Sequence, residues 1–135
     1  MAWDVSLFKF SRRHGSVSEI ASDEKLVNLG SLSEVQTTVT AVFPGTDWSD
    51  PHWGIFSSQV GSIEFNVGMQ DPVQSVGLHV RADDEIVDGI LLLCEHFECQ
   101  AIDLSDSRFL EQSDDPARNL QKWREYRDQI VGNRS

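Results

Sequence analysis

A chain of 135 residues matches the usual size of one domain, so the sequence predicts a single domain over 1–135. Hydrophobic residues at 39%, with four Trp and seven Phe, exclude a disordered chain and allow a core that needs no disulfide or metal staple. A net charge of −11 argues against nucleic-acid phosphate and anionic membranes as partners and favours a cationic protein. The imbalance is local. Residues 83–115 hold eleven acids and one base, Arg108, whereas residues 116–135 hold two acids and five bases.

In chain order, residues 3–10 alternate as a strand, with Phe8 and Phe10 switching face in the manner of a bulge. The basic residues Lys9, Arg12 and Arg13 follow this apolar stretch, which is the wrong order for a signal peptide. Residues 11–30 read as a long irregular loop. Ser31 and Glu34 form a capping box at the head of a helix carried by Leu32, Val35, Val39, Val42 and Phe43, and Pro44-Gly45 stops it. Residues 46–52 read as a loop from their turn chemistry. Strands are expected at 53–57, 62–67 and 74–81, separated by Gly61 and the stretch 68–72.

Asp83 is placed to cap a second helix, with Ile86, Ile90, Leu91, Cys94 and Phe97 as its buried stripe. Its longest apolar run, 90–94, is far too short to span a bilayer. Residues 100–104 read as a returning strand. Asp115-Pro116 opens a third helix, with Leu120, Trp123, Ile130 and the stem of Arg127 inward and Gly132-Asn133 at its end. The predicted fold is α+β: one antiparallel-rich sheet of about four or five strands with two or three helices on one face, in the order β-α-β-β-β-α-β-α.

Cys94 and Cys99 pose a geometric question. If the second helix runs through both, their Cα atoms lie about 8–9 Å apart, and a disulfide wants less than about 7 Å. Two reduced thiols and a cytoplasmic setting follow. His96 and Glu95 between them do not converge with the thiols on one point, so no metal site is expected. Cofactor and catalytic fingerprints (P-loop, dinucleotide glycines, nucleophile elbow, His-Glu-x-x-His) are absent from the sequence.

Three regions present candidate partner-binding residues. Alternation puts Glu64, Asn66, His79 and Arg81 outward together on the central strands, as acid–base or ligand groups, or as a plain cross-strand ion pair. The segment 47–53 gathers Asp47, Trp48, Asp50, His52 and Trp53, which suits a sugar-binding rim, a metal site or a structured turn with its indoles on the core. On the second helix, Asp84, Asp88 and Glu95 share a stripe beside Glu85 and Glu98, and Asp103, Asp106, Glu111, Asp114 and Asp115 extend the negative field. No lysine or arginine relieves it from 83 to 107.

Three blocks also carry a resemblance. They are Phe-Pro-Gly-Thr-Asp-Trp-Ser-Asp-Pro-His-Trp-Gly at 43–54, Ser-Ile-Glu-Phe-Asn-Val-Gly at 62–68 with Asp-Pro-Val at 71–73, and Leu-His-Val-Arg at 78–81. Together they resemble a group of small acidic bacterial proteins, which are similar in size, acidity and layout to polymorphic-toxin immunity proteins. The resemblance implies a cytoplasmic, non-enzymatic protein that neutralises a cognate, often basic, toxin by occluding it. It implies no catalytic residues. The alternative expectation is a small-molecule enzyme or sensor built on Glu64, Asn66, His79 and Arg81, which requires a pocket on that face.

Overall fold

Alternation of apolar and polar side chains builds the sheet, and residues 2–132 are described in the computed structural model, the side chains of Gln112, Ile130 and Val131 excepted. In β1 (Trp3–Phe8), Trp3, Val5 and Leu7 are buried while Asp4, Ser6 and Phe8 face the other way. β4 (Gly61–Asn66) buries Ile63 and Phe65, and β5 (Ser75–Ala82) buries Val76, Leu78 and Val80. Register aligns these sets, because Val5 lies opposite Leu78 and Leu78 opposite Phe65. One continuous apolar face results.

Four further strands, β2 (Asp47–Asp50), β3 (Trp53–Ser58), β6 (Gln100–Asp103) and β7 (Arg108–Phe109), complete a seven-stranded sheet ordered β2-β3-β4-β5-β1-β6-β7. Every pairing is antiparallel. The α+β class is as expected, but the sheet exceeds the expected four or five strands. β2 falls in the segment read as a loop, and β7 is two residues long, too short for any periodic signal.

α1 (Leu32–Val42), α2 (Ile86–Phe97) and α3 (Arg118–Gly132) lie on the apolar face, where Val35, Val39, Ile86, Ile90, Leu93, Phe97 and Leu120 join the strand residues in one core. The capping box forms as expected: Glu34 N–H donates to Ser31 Oγ and Ser31 N–H donates to Glu34 Oε1, each at 3.1 Å. α2 starts later than Asp83, which instead opens a turn through Ile86 N–H to its carbonyl at 3.1 Å. α3 likewise begins after Pro116, following a turn closed by Arg118 N–H on the Asp115 carbonyl. The inward side chain expected for Ile130 and the stop expected at Asn133 lie outside the described residues. No helix among the described residues is long and apolar enough to cross a membrane.

The expected long loop crosses the opposite face of the sheet at one corner. Buried His14 donates its N–H to Gln100 Oε1, and Gln100 Nε2 donates back to the His14 carbonyl, both at 2.8 Å. Phe10, Ile102 and Phe109 pack beneath this segment, with the Phe10 and Phe109 rings 6.3 Å apart. The remainder of that face, across β1 and β3–β5, is left open.

α2 does not run through both cysteines. It ends at Phe97, and Glu98 adopts a left-handed φ of 54°. Glu98 N–H turns back on the carbonyls of Cys94 and Glu95, and Cys99 N–H reaches the Cys94 carbonyl at 3.0 Å. The helical spacing that kept the thiols apart therefore does not apply.

Glycine at position 89, in the interior of α2, has a packing cause. A Cβ there would sit 2.6 Å from the Phe43 ring, and that ring is wedged 5.1 Å from Phe56 and 5.5 Å from Phe65. Gly89→Ala should therefore destabilise the protein by about 1–3 kcal/mol in a urea melt, despite alanine's better helix propensity of about 1 kcal/mol. An increase in stability would show that Phe43 has room to move.

Candidate functional site

The acidic segment is divided by the fold. Asp84, expected outward, is drawn to α3: its Oδ1 lies 2.7 Å from Arg124, and Gln121 Nε2 donates to its Oδ2 at 2.6 Å. Asp83 lies 3.6 Å from the same guanidinium. Asp103 is buried and accepts from Ser105 N–H and Asn119 Nδ2, each at 2.9 Å, while Asp106 accepts from Asn119 at 3.0 Å. Glu111 lies 3.6 Å from Arg13 and accepts from Gln100, and Glu98 lies 3.8 Å from Lys9. The segment's negative charge is thus not one unrelieved field.

What remains outward on α2 is a narrower stripe. Glu85, Asp88, Leu92 and Glu95 are exposed, with no ion pair to another described residue, opposite the buried Ile86, Val87, Ile90, Leu93, Cys94 and Phe97. Leu92 is 41% exposed, an apolar side chain with Asp88 and Glu95 within one turn of it and exposed His96 one turn after it. Sequence reasoning passed over it. The signal was present, since five consecutive apolar residues at 100° per residue cannot all face inward, and Leu92 falls one turn after Asp88.

On the open sheet face, His79 lies between Asp4 and Glu64 in register. Its Nδ1 is 2.8 Å from Asp4 Oδ1, and the indole of Trp53 stacks on it with centroids 5.5 Å apart. Glu64 instead faces Arg81 at 3.6 Å. Asp4 was missed, although Trp3 inward makes Asp4 outward. Asn66 serves its own turn, accepting from Gly68 N–H at 3.0 Å. Exposed cross-strand pairs of this kind are worth a few tenths of a kcal/mol.

Asp47 and Asp50 work locally in the β2–β3 hairpin. Asp47 Oδ1 accepts from Ser49 N–H at 2.8 Å and Ser49 Oγ at 2.6 Å, and Asp50 Oδ1 accepts from His52 N–H at 2.9 Å. Capturing the Ser49 amide also blunts β2 as an exposed sheet edge. Trp48 is partly buried: its Nε1 donates to Thr40 Oγ1 at 2.9 Å, and its ring covers Gly54, where a Cβ would come within 2.7 Å. Trp48 therefore ties β2 to α1 and to the core.

A cavity of about 590 Å³ lies between Ser16, the β6–β7 turn and the start of α3. A smaller one, about 240 Å³, lies beside Cys99 and Gln100. Neither is on the open sheet face. No group of three His, Cys, Asp or Glu among the described residues is placed to hold a metal ion. Because α2 sits on the packed side of the sheet, its outward stripe and the Glu64–His79–Arg81 face look in opposite directions. The acidic stripe and the polar sheet face are thus two separate surfaces.

Comparison with known proteins finds no matching family model, no matching curated protein and no matching solved structure.

The Asp47 hydrogen bonds set a measurable titration. The Ser49 hydroxyl first, and the Ser49 amide second, hold its carboxyl below the usual carboxylate range. The stability this contributes is complete above the unfolded value of about 3.9 and is lost as pH falls through the lower folded value. Ser49→Ala should raise the Asp47 midpoint measured by carboxyl NMR. An unmoved midpoint would discount the hydroxyl bond.

Proposed function

We propose that this protein is a cytoplasmic binding module that docks a basic protein on the outward stripe of α2. The observation that carries this reading is exposed Leu92, set among Glu85, Asp88 and Glu95 while the neighbouring Asp83 and Asp84 are already paired with Arg124. An apolar anchor ringed by charge matches the anatomy of an interface centre, where the anchor governs dissociation and the ring governs encounter. Unpaired like charges along one helix cost stability, and a cationic partner relieves that cost. The resemblance to immunity proteins supplies the biological class: a bacterial protein that neutralises a toxin by occluding a basic surface. The open sheet face supports the small-molecule alternative less well, because neither cavity lies there and His79 is already held by Asp4 and Trp53.

The test is co-expression with the product of the adjacent gene, followed by measured binding. Under this reading the protein rescues growth, and its association rate falls steeply from low to moderate salt. Asp88→Asn with Glu95→Gln should slow association several-fold and flatten the salt slope. Leu92→Ala should speed dissociation by roughly tenfold, the scale of a lost anchor of about 1.4 kcal/mol. Equal rates and slopes in the charge-neutralised variant would remove α2 as the docking surface, and failure to rescue would remove the immunity assignment.

A further inference from the structure

The turn that ends α2 brings two thiols together beneath a cationic groove. In this type of helix stop, the residue donating to the carbonyl five positions back also packs on that residue's side chain. Here those residues are Cys99 and Cys94, both buried in the main core and joined by the 3.0 Å backbone bond. The Cys94 thiol holds its proton firmly, through its hydrogen bond to Cys99 and then through burial.

Cys99 lines the 240 Å³ groove together with Lys9, Arg12 and Arg13. Lys9 and Arg13 have carboxylate neighbours in Glu98 and Glu111, and Arg12 is exposed at the surface. Three cations and one carboxylate, Glu98, line this groove, which reaches Cys99 although that residue is only 2% exposed. Positive charge along a groove attracts anionic reagents.

We propose that Cys94 and Cys99 form a reversible redox pair that exchanges with a small anionic disulfide, of which oxidised glutathione is the probe. Cys99 loses its proton to solvent, and its sulfur attacks one sulfur of the disulfide. That S–S bond breaks, one thiolate leaves and takes up a proton, and a mixed disulfide remains on Cys99. With Cys99 capped, the Cys94 thiol loses the hydrogen bond that chiefly held its proton; that proton passes to solvent and the Cys94 sulfur attacks the Cys99 sulfur. The second small thiolate leaves and is protonated in turn. Two protein thiols are oxidised by two electrons to one disulfide, and the reagent is reduced to two thiols. The closed ring spans six residues and joins the last turn of α2 to the residue just before β6.

The test incubates the purified protein with oxidised glutathione or with neutral hydroxyethyl disulfide, traps remaining thiols by alkylation, and reads intact mass. Wild type should lose two hydrogens and resist alkylation after treatment with oxidised glutathione. Cys94→Ser should stop at a single glutathione adduct on Cys99. Arg12→Glu should slow the glutathione reaction several-fold and leave the hydroxyethyl disulfide reaction unchanged. Thiols that react only after denaturation would overturn the site. Closure at equal rates with both reagents, unaffected by Arg12→Glu, would overturn the anionic substrate. The wild-type mass decides the first point even if Cys94→Ser folds poorly.

Discussion

Everything in this molecule depends on the register that β1, β4 and β5 share. Val5, Leu78 and Phe65 stand in one transverse row, and Asp4, His79 and Glu64 stand in the next, on the reverse side. A slip of one strand by one residue would exchange its two rows and turn its own core side chains to water. With the register fixed, all three helices must cover the same side. The outward stripe of α2 is then committed to solvent, and the reverse face must be covered by other means or left open. The segment pinned by His14 and Gln100 covers only the corner over Ile102 and Phe109.

The same geometry explains why charge counted along the chain overstates charge displayed in space. The basic residues of the last helix follow the acidic segment in sequence and return to it in the fold, so Arg124 neutralises the start of α2. Opposite charges 4 Å apart in water interact by only about 1 kcal/mol, so such pairs contribute little stability. Their effect on potential is larger, because within α2 they leave the unpaired carboxylates on the face that carries Leu92. The result is a smaller and more directional surface than the sequence composition implied, and one that contains an apolar centre.

Elements whose signal is local were readable in advance. The Ser31–Glu34 box, the alternation of β4 and β5 and the apolar stripe of α2 each rest on residues within a turn or two of one another. What escaped was set by distant partners or by brevity. β2 reads as a turn because Asp47 and Asp50 do bond as turn residues, and its strand character comes from pairing with β3. β7 is two residues held by β6. The division of the acids needed the path of α3, which no residue between 83 and 115 encodes. Glu98 was the least visible of all, since a left-handed glutamate leaves no compositional trace where glycine would have announced the stop.

That glutamate links the two proposals made for α2. Its N–H bonds the carbonyls of Cys94 and Glu95, so the last turn presenting Glu95 outward is the same turn that sets Cys99 on Cys94. The backbone bonds that bring the sulfurs together exist before any oxidation. A disulfide there would tie a turn already closed, without pulling α2 into a new path. The carboxylate stripe and Leu92 lie on the other side of the helix from Cys94, so they keep their positions in either redox state. Oxidation on this geometry changes how firmly the end of α2 is held, and leaves what the helix shows to a partner unchanged.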